Sequence, residues 1–217
     1  MSGFLDRFDP LNVLAMIGAL LIAVIGHEIM HGLAAYMFGD STAKNEGRLS
    51  LNPIKHIDPI GTIALPLLLV ISGSGFLFGW AKPVPIDVYH VLKRGGNKAM
   101  IVVSLAGVAY NFALAFCAAI LINVLFTGAD EANFLFFLLF YLVTWNVVLA
   151  VFNLLPIPPL DGAIAIAHLA AIFGFNLARY FNRIGAWGLV VLIVVLATDL
   201  KKPLLGAMNA IISAMIG

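Results

Sequence analysis

Residues 11–38 read LNVLAMIGALLIAVIGHEIMHGLAAYMF, and the whole chain is understood through this stretch. It is longer than the roughly 20 residues that a helix needs to cross a bilayer, yet it carries His27, Glu28 and His31 close together. Leu11–Ile25 resembles the apolar part of a signal peptide, but the residues before it include Asp6 and Asp9 beside a lone Arg7. A cleavable signal also has no need of three ionisable residues at its end. The stretch is therefore expected to be a retained transmembrane helix with chemistry built into it.

The composition agrees. Of 217 residues, 62% are hydrophobic and 11% charged, with mean hydropathy +1.05. A soluble domain is nearer half apolar and about a quarter charged. A chain this short must cover its surface with polar groups if water surrounds it, so the expected solvent is lipid. A formal net charge of +1 gives no footprint for nucleic acid, and no block of like charge suggests a tail. The single Cys117 has no partner for an internal disulfide and reads as a small buried hydrophobe.

Four apolar stretches approach or exceed spanning length: Leu11–Phe38, Ile60–Gly79, Ala99–Phe126 and Phe134–Leu155. Ile184–Thr198 is a shorter fifth, and Ala163–Ala178 and Leu204–Ile216 read as short, interfacial or tilted pieces. The expected fold is an all-α polytopic membrane protein with about four to six transmembrane helices. It forms one membrane domain over 1–217, with its core in 11–165 and C-terminal helices in 166–217. Between the first two stretches, Glu46-Gly47 reads as a turn, and Leu49 and Leu51 alternate with Arg48 and Ser50; a short hairpin is expected there. Pro83 and Pro85 make Gly79–Asp87 extended rather than helical.

The sequence His27-Glu28-Ile29-Met30-His31 has the form H-E-x-x-H. Spacing of i, i+4 sets both imidazoles on one helix face, one turn apart, so both reach a single metal. Glu28 lies about 100° round the helix from His27, close enough to act as base on a water. Ionisable groups inside a membrane helix are costly and face a partner or a cavity, which favours metal binding over a polar interhelical contact or a proton relay. A catalytic zinc site has three protein ligands and one open position. The other acid flanked by apolar sequence is Asp161, in Asn153-Leu-Leu-Pro156-Ile-Pro158-Pro159-Leu160-Asp161-Gly162. Its prolines forbid a regular helix, and broken backbone at membrane depth lines a cavity or is buried by protein. The plainer alternative is a Pro-rich loop in which Asp161 caps the next helix.

The pairing of His27-Glu28-x-x-His31 with Asn153-x-x-Pro156-x-Pro158-x-Leu160-Asp161-Gly162 resembles the double signature of the site-2 protease family, the intramembrane zinc metalloproteases, in its compact prokaryotic branch without a PDZ domain. Gly47-Arg48-x-x-Leu51-Asn52-Pro53, His56-x-Asp58-Pro59-x-Gly61, Gly79-Trp80-Ala81-Lys82-Pro83-Val84-Pro85 and Leu105-Ala106-Gly107-x-x-x-Asn111 extend the likeness over about residues 15–165. Val108 departs from it, because relatives usually carry proline after the Ala-Gly pair; a straighter helix start is expected there. The resemblance implies one zinc per chain, held by His27, His31 and Asp161, with Glu28 as general base and Asn153 positioning substrate or stabilising the oxyanion. It also implies transmembrane proteins as substrates and a multi-pass place in a prokaryotic cell membrane.

Leu49, Leu51 and Asn111 are the candidate substrate-binding residues, the first two by adding an unwound substrate to the hairpin and to the extended Trp80–Asp87 segment. Asn111 reads first as an amide bonding across helices. His56 and Asp58 read as internal ties of a proline loop, His90 as loop, and His168 as a residue outside the ligand set. A metal-binding membrane protein without hydrolysis, such as a transporter or an inactive homologue, is the alternative function. It has no need of Glu28, and transporters tend to show paired broken helices. A prenyl-protein protease leaves the Asp161 segment without a role. For His31 and Asp161 to meet away from mid-membrane, the first and fourth stretches must run the same way, and a re-entrant Ile60–Gly79, with Pro66, Gly73, Gly75 and Gly79, allows this. Lys44, Arg48, Lys55, Lys82, Lys93, Arg94 and Lys98 then share one face, opposite Arg7 and Asp130-Glu131, and that face is cytoplasmic. The alternative is a full crossing with the motifs meeting near mid-membrane, which spreads the cations over both faces.

Overall fold

A computed structural model describes residues 9–73, 79–126, 133–185 and 187–217. The first helix, α1 (Pro10–Met37), opens with Asp9 accepting from the Leu11 N–H at 3.1 Å and with proline in its first turn, where a missing N–H costs nothing. Ala15, Ala19 and Ala23 are fully buried along one side, while Leu14, Ile17 and Leu21 face outward. Small residues at i, i+4 let neighbouring helices approach closely, and those neighbours are α4 and α5.

After α1 come a single helical turn, α2 (Thr42–Asn45), and a π-helical turn at Pro59–Ala64 leading into α3 (Leu65–Ile71). Helix α4 (Val88–Leu125) starts with Asp87 capping the Tyr89 and His90 N–H groups. It is interrupted at Gly96, whose φ of 63° is a left-handed backbone that glycine adopts without penalty. Lys93, Arg94, Asn97 and Lys98 flank the break, so the apolar stretch begins at Ala99 although helix begins earlier. Helix α5 (Phe134–Asn153) is capped by Asn133 on the Phe136 N–H. Contacts between α1 and α4 run in opposite order, from Ala23–Asn111 through His27–Gly107 to His31–Val103, so the two are antiparallel. Phe126–Phe136 and Asn111–Asn146 show the same for α4 and α5. Helices α1 and α5 therefore run the same way.

The described residues hold helices and no strand. Three helices, α1, α4 and α5, are long and apolar enough to cross a bilayer. Their shared core is Ala19, Ala115, Ala118, Ala119, Ile122, Leu142, Val143 and Val147. Beyond α5 lie α6 (Asp161–Ile172), α7 (Leu177–Ile184), α8 (Trp187–Ala197) and α9 (Lys201–Ile216). Helix α9 packs on α4 and α5 through Ile211, Ile212 and Met215, with Asn123 donating to the Met215 carbonyl at 2.9 Å.

The described residues of Ile60–Gly79 form no long helix. Pro59–Ile71 spans about 20 Å at 1.5 Å per residue, short of the roughly 30 Å hydrocarbon core. More decisively, the stretch returns to its own start. The Trp80 N–H donates to the Gly61 carbonyl at 3.1 Å, and the Lys82 N–H to that of His56 at 2.8 Å. The Trp80 ring lies in the space that a side chain on Gly61 would need. Both ends of the stretch thus lie at the same end of the bundle, the geometry expected of a re-entrant segment. Gly75, Arg7 and Asp130-Glu131, which also entered the topology reading, lie outside the described residues.

Two expectations are corrected. The hairpin expected over residues 42–53 is absent: Asp40 accepts from the Thr42 N–H at 2.9 Å and starts α2, and the Arg48 N–H closes the turn on Ala43 at 2.8 Å. Local capping satisfies this backbone, so the Leu49/Leu51 alternation has no partner strand. The Glu46-Gly47 turn is present, with Gly47 at φ 63°. Cys117 is exposed rather than buried, because α4 turns Ala115, Ala118 and Ala119 inward instead.

Candidate metal centre

Helices α1, α4 and α6 meet where α1 carries His27 and His31, both buried. The Nε2 atoms of these residues are 3.0 Å apart. Asp161, in the first turn of α6, places Oδ2 3.2 Å from His27 Nε2 and 3.3 Å from His31 Nε2. The carboxylate is presented by the broken segment after α5, where Gly162 packs so closely over the Leu154 carbonyl that a side chain could not fit.

The protons around this triangle make it a cation site. His31 Nδ1 donates to the Val103 carbonyl at 2.7 Å, and His27 Nδ1 stands 2.6 Å from Asn111 Oδ1. With both Nδ1 atoms committed as donors, each Nε2 presents a lone pair. Asp161 Oδ2 is buried and has no hydrogen-bond partner despite its short distances to both imidazoles. Three atoms that can each offer a lone pair to one ion therefore converge. A tetrahedral ion with bonds near 2.05 Å separates its ligands by about 3.3 Å, close to the three edges observed. The donor set, two imidazoles and a carboxylate with outer hydrogen bonds to the rings, suits zinc.

Gly107 on α4 allows this approach. A Cβ there would stand 2.6 Å from His27 Cε1 and Nδ1 and from His31 Nε2. Glu28 is half-buried on the same helix, and its Oε2 accepts from the Val84 N–H at 2.8 Å. The extended Trp80–Asp87 segment therefore lies directly against the carboxylate expected to act as base.

Other candidates fall elsewhere. Asn153 donates to the Leu149 carbonyl in its own helix at 3.0 Å and is not brought onto the triad. Leu49 packs beside Gly32, one residue beyond His31, together with Val84, whereas Leu51 is 80% exposed. Asn111 is fully buried and bonds across helices, with His27 as its partner. His56 meets the Ser50 carbonyl at 2.8 Å, and Asp58 caps the Ile60 and Gly61 N–H groups, so both are ties of the loop. His90 pairs with Asp87 at 2.8 Å. His168 meets Asn97 at 2.9 Å, just past the Gly96 break. Sequence reasoning passed over Asn146, fully buried and 2.7 Å from Asn111. An isolated amide between Trp145 and Val147 in an apolar stretch was the available signal.

Apolar helices that gather two imidazoles and a carboxylate beside a glutamate define the chain as a membrane-type protein with a candidate metal centre. Comparison with known proteins specifies the family. Two relatives are each named "Putative zinc metalloprotease". YwhC of Bacillus subtilis (strain 168) is 36% identical over 218 residues, covering 94% of this chain and 91% of its own length. Rip2 of Mycolicibacterium smegmatis is 30% identical over 200 residues, covering 88% and 72%. No family model and no solved structure matches. The chain belongs to the zinc metalloprotease family of YwhC and Rip2.

Proposed function

We propose that this protein is an intramembrane endopeptidase of the site-2 protease type, with one zinc ion per chain, which hydrolyses peptide bonds in or near the transmembrane segments of other proteins. The observation that carries the reading is the meeting of His27, His31 and Asp161 on helices of spanning character, with Glu28 one residue from a ligand. The three ligands would hold the ion, which when bound supplies Lewis acidity, drawing the pKa of water toward neutrality and polarising a carbonyl. Glu28 would take the proton of the attacking water and deliver it to the leaving amine. The Val84 N–H fixes one carboxylate oxygen of Glu28 and leaves the other for that transfer. Asn153 would have to turn its amide from Leu149 to reach a developing oxyanion.

A substrate helix hides its amides in i to i−4 bonds and must be opened before attack. Opening in lipid exposes polar backbone that needs partners. The extended segment beside Glu28 supplies a template along which an unwound substrate could lie. The re-entrant geometry of Ile60–Gly79 sets α1 and α5 parallel in a multi-pass arrangement within a prokaryotic cell membrane, Lys44, Arg48, Lys55 and Lys82 sharing the cytoplasmic side. The test is metal analysis of purified protein together with cleavage of a membrane-protein substrate by wild type and Glu28→Gln. Zinc in both with cleavage only by wild type is expected. Zinc in both and cleavage by neither would favour the non-proteolytic alternative.

A further inference from the structure

The zinc-site reading needs His27 to present Nε2 as a lone pair, and the sequence does not say what enforces that tautomer. The network behind the ring does. The Leu142 carbonyl can only accept, so Asn146 must turn its NH2 toward it, at 2.8 Å. Asn146 Oδ1 then faces Asn111, whose NH2 donates to it at 2.7 Å and to the Ala23 carbonyl at 3.2 Å. With its NH2 so engaged, Asn111 has only Oδ1 left for His27, at 2.6 Å. An acceptor at that distance places the proton on Nδ1. Both amides are fully buried, so water is not at hand to rescue a wrong orientation, and a buried unpaired amide is costly.

We infer that Asn146, which touches no ligand atom, is a positioning residue for the metal centre: it orients the Asn111 amide and thereby fixes His27 in its metal-binding tautomer. Without it, only the longer bond to the Ala23 carbonyl, at 3.2 Å, holds the Asn111 NH2 away from His27 Nδ1. Rotation of that amide would put the imidazole proton on Nε2, where the ion would bind. The dependence comes from the inequivalent ends of an amide. A carboxylate at position 111 presents an oxygen to His27 whichever way it turns, so it should make Asn146 dispensable.

The inference rests on the zinc reading, and the experiment separates the two. Full-length protein in detergent is titrated with zinc against a competing chelator, and with cobalt, whose visible absorption reports tetrahedral coordination. Asn146→Leu should bind zinc about 10-fold more weakly than wild type, at the lower end of the about 10- to 100-fold lost with a direct partner of a metal-bound histidine. Asn146→Ala, which adds no bulk, carries the same expectation should the leucine variant fail to fold. Asn111→Asp combined with either substitution should restore affinity and the wild-type cobalt spectrum. Wild-type affinity in a folded Asn146 variant would overturn the inference. So would a double variant no tighter than the single one, since Asn146 would then act by packing alone. A wild-type protein that takes up no zinc would remove the reading beneath, and this inference with it.

Discussion

Adding one methyl group at Gly107 should disable the metal centre while leaving the ligands in the sequence. A Cβ there falls 2.6 Å from three atoms of His27 and His31, whereas ordinary contact begins at 3.4 Å. The rings, or α4 itself, must therefore yield by about 0.8 Å, several times the roughly 0.2 Å tolerance of zinc–ligand distances. Neither ring can retreat freely, because each is tied by Nδ1 to α4, at 2.6 Å to Asn111 and 2.7 Å to Val103. Moving them breaks partners worth about tenfold or more each in metal affinity, so Gly107→Ala should weaken zinc binding by about 100-fold or more, near 2.7 kcal/mol. Overpacking should also lower stability by about 1–3 kcal/mol. Chelator competition and a thermal melt in detergent measure the two effects. Gly206→Ala is the control, because it lies in α9 with nothing within 4 Å of its added Cβ, and helix propensity alone makes it neutral or slightly stabilising. Wild-type zinc affinity in Gly107→Ala would refute the close-approach reasoning.

Three further outcomes follow from the same geometry. His27→Ala and Asp161→Ala should each lose zinc or hold it far more weakly, by metal analysis after dialysis; stoichiometric zinc at wild-type affinity in Asp161→Ala would assign the third ligand elsewhere. In a Cys117→Ala background, single cysteines at Lys44 and Lys93 should be labelled from the same side of the membrane by an impermeant reagent, and opposite-side labelling rules out the re-entrant reading. A substrate helix carrying Gly or Asn near the cut should be cleaved faster than a uniform Leu/Ala helix, since these residues weaken the helix by up to about 1 kcal/mol each; equal rates in a cleavage assay would remove unwinding from the mechanism.

What the sequence made legible was whatever one helix or one short segment encodes. The i, i+4 spacing of His27 and His31 is a local fact, and the proline run before Asp161 advertises a broken, carboxylate-bearing segment. The extended Trp80–Asp87 stretch was equally readable from Pro83 and Pro85. What stayed hidden depends on which helix lies opposite. Gly107 looks like any glycine in an apolar helix until two imidazoles are seen against it. The carbonyl of Val103 has no signature at all, yet it orients His31. Leu49 and Leu51 alternated as a strand does, but the chain ahead of them forms a helical turn, closed by the Arg48 N–H on the Ala43 carbonyl, and local helical bonding outweighed a two-residue pattern. Ile60–Gly79 had the length of a span, and the bonds from Trp80 to Gly61 and from Lys82 to His56 show its two ends together.

Those bonds have a consequence for how the molecule tolerates change. Because Trp80 is fastened to Gly61 and Lys82 to His56, the register of Val84 over Glu28 is set at the neck of the loop rather than at its tip. Segments added or removed beyond the neck change the length of a closed circuit without sliding the extended segment along the Glu28 carboxylate, and the entropy of closing such a circuit rises by only about 0.6 kcal/mol for each doubling of length. Changes of length within that circuit, if they keep its apolar character, should therefore leave the Val84–Glu28 contact in place.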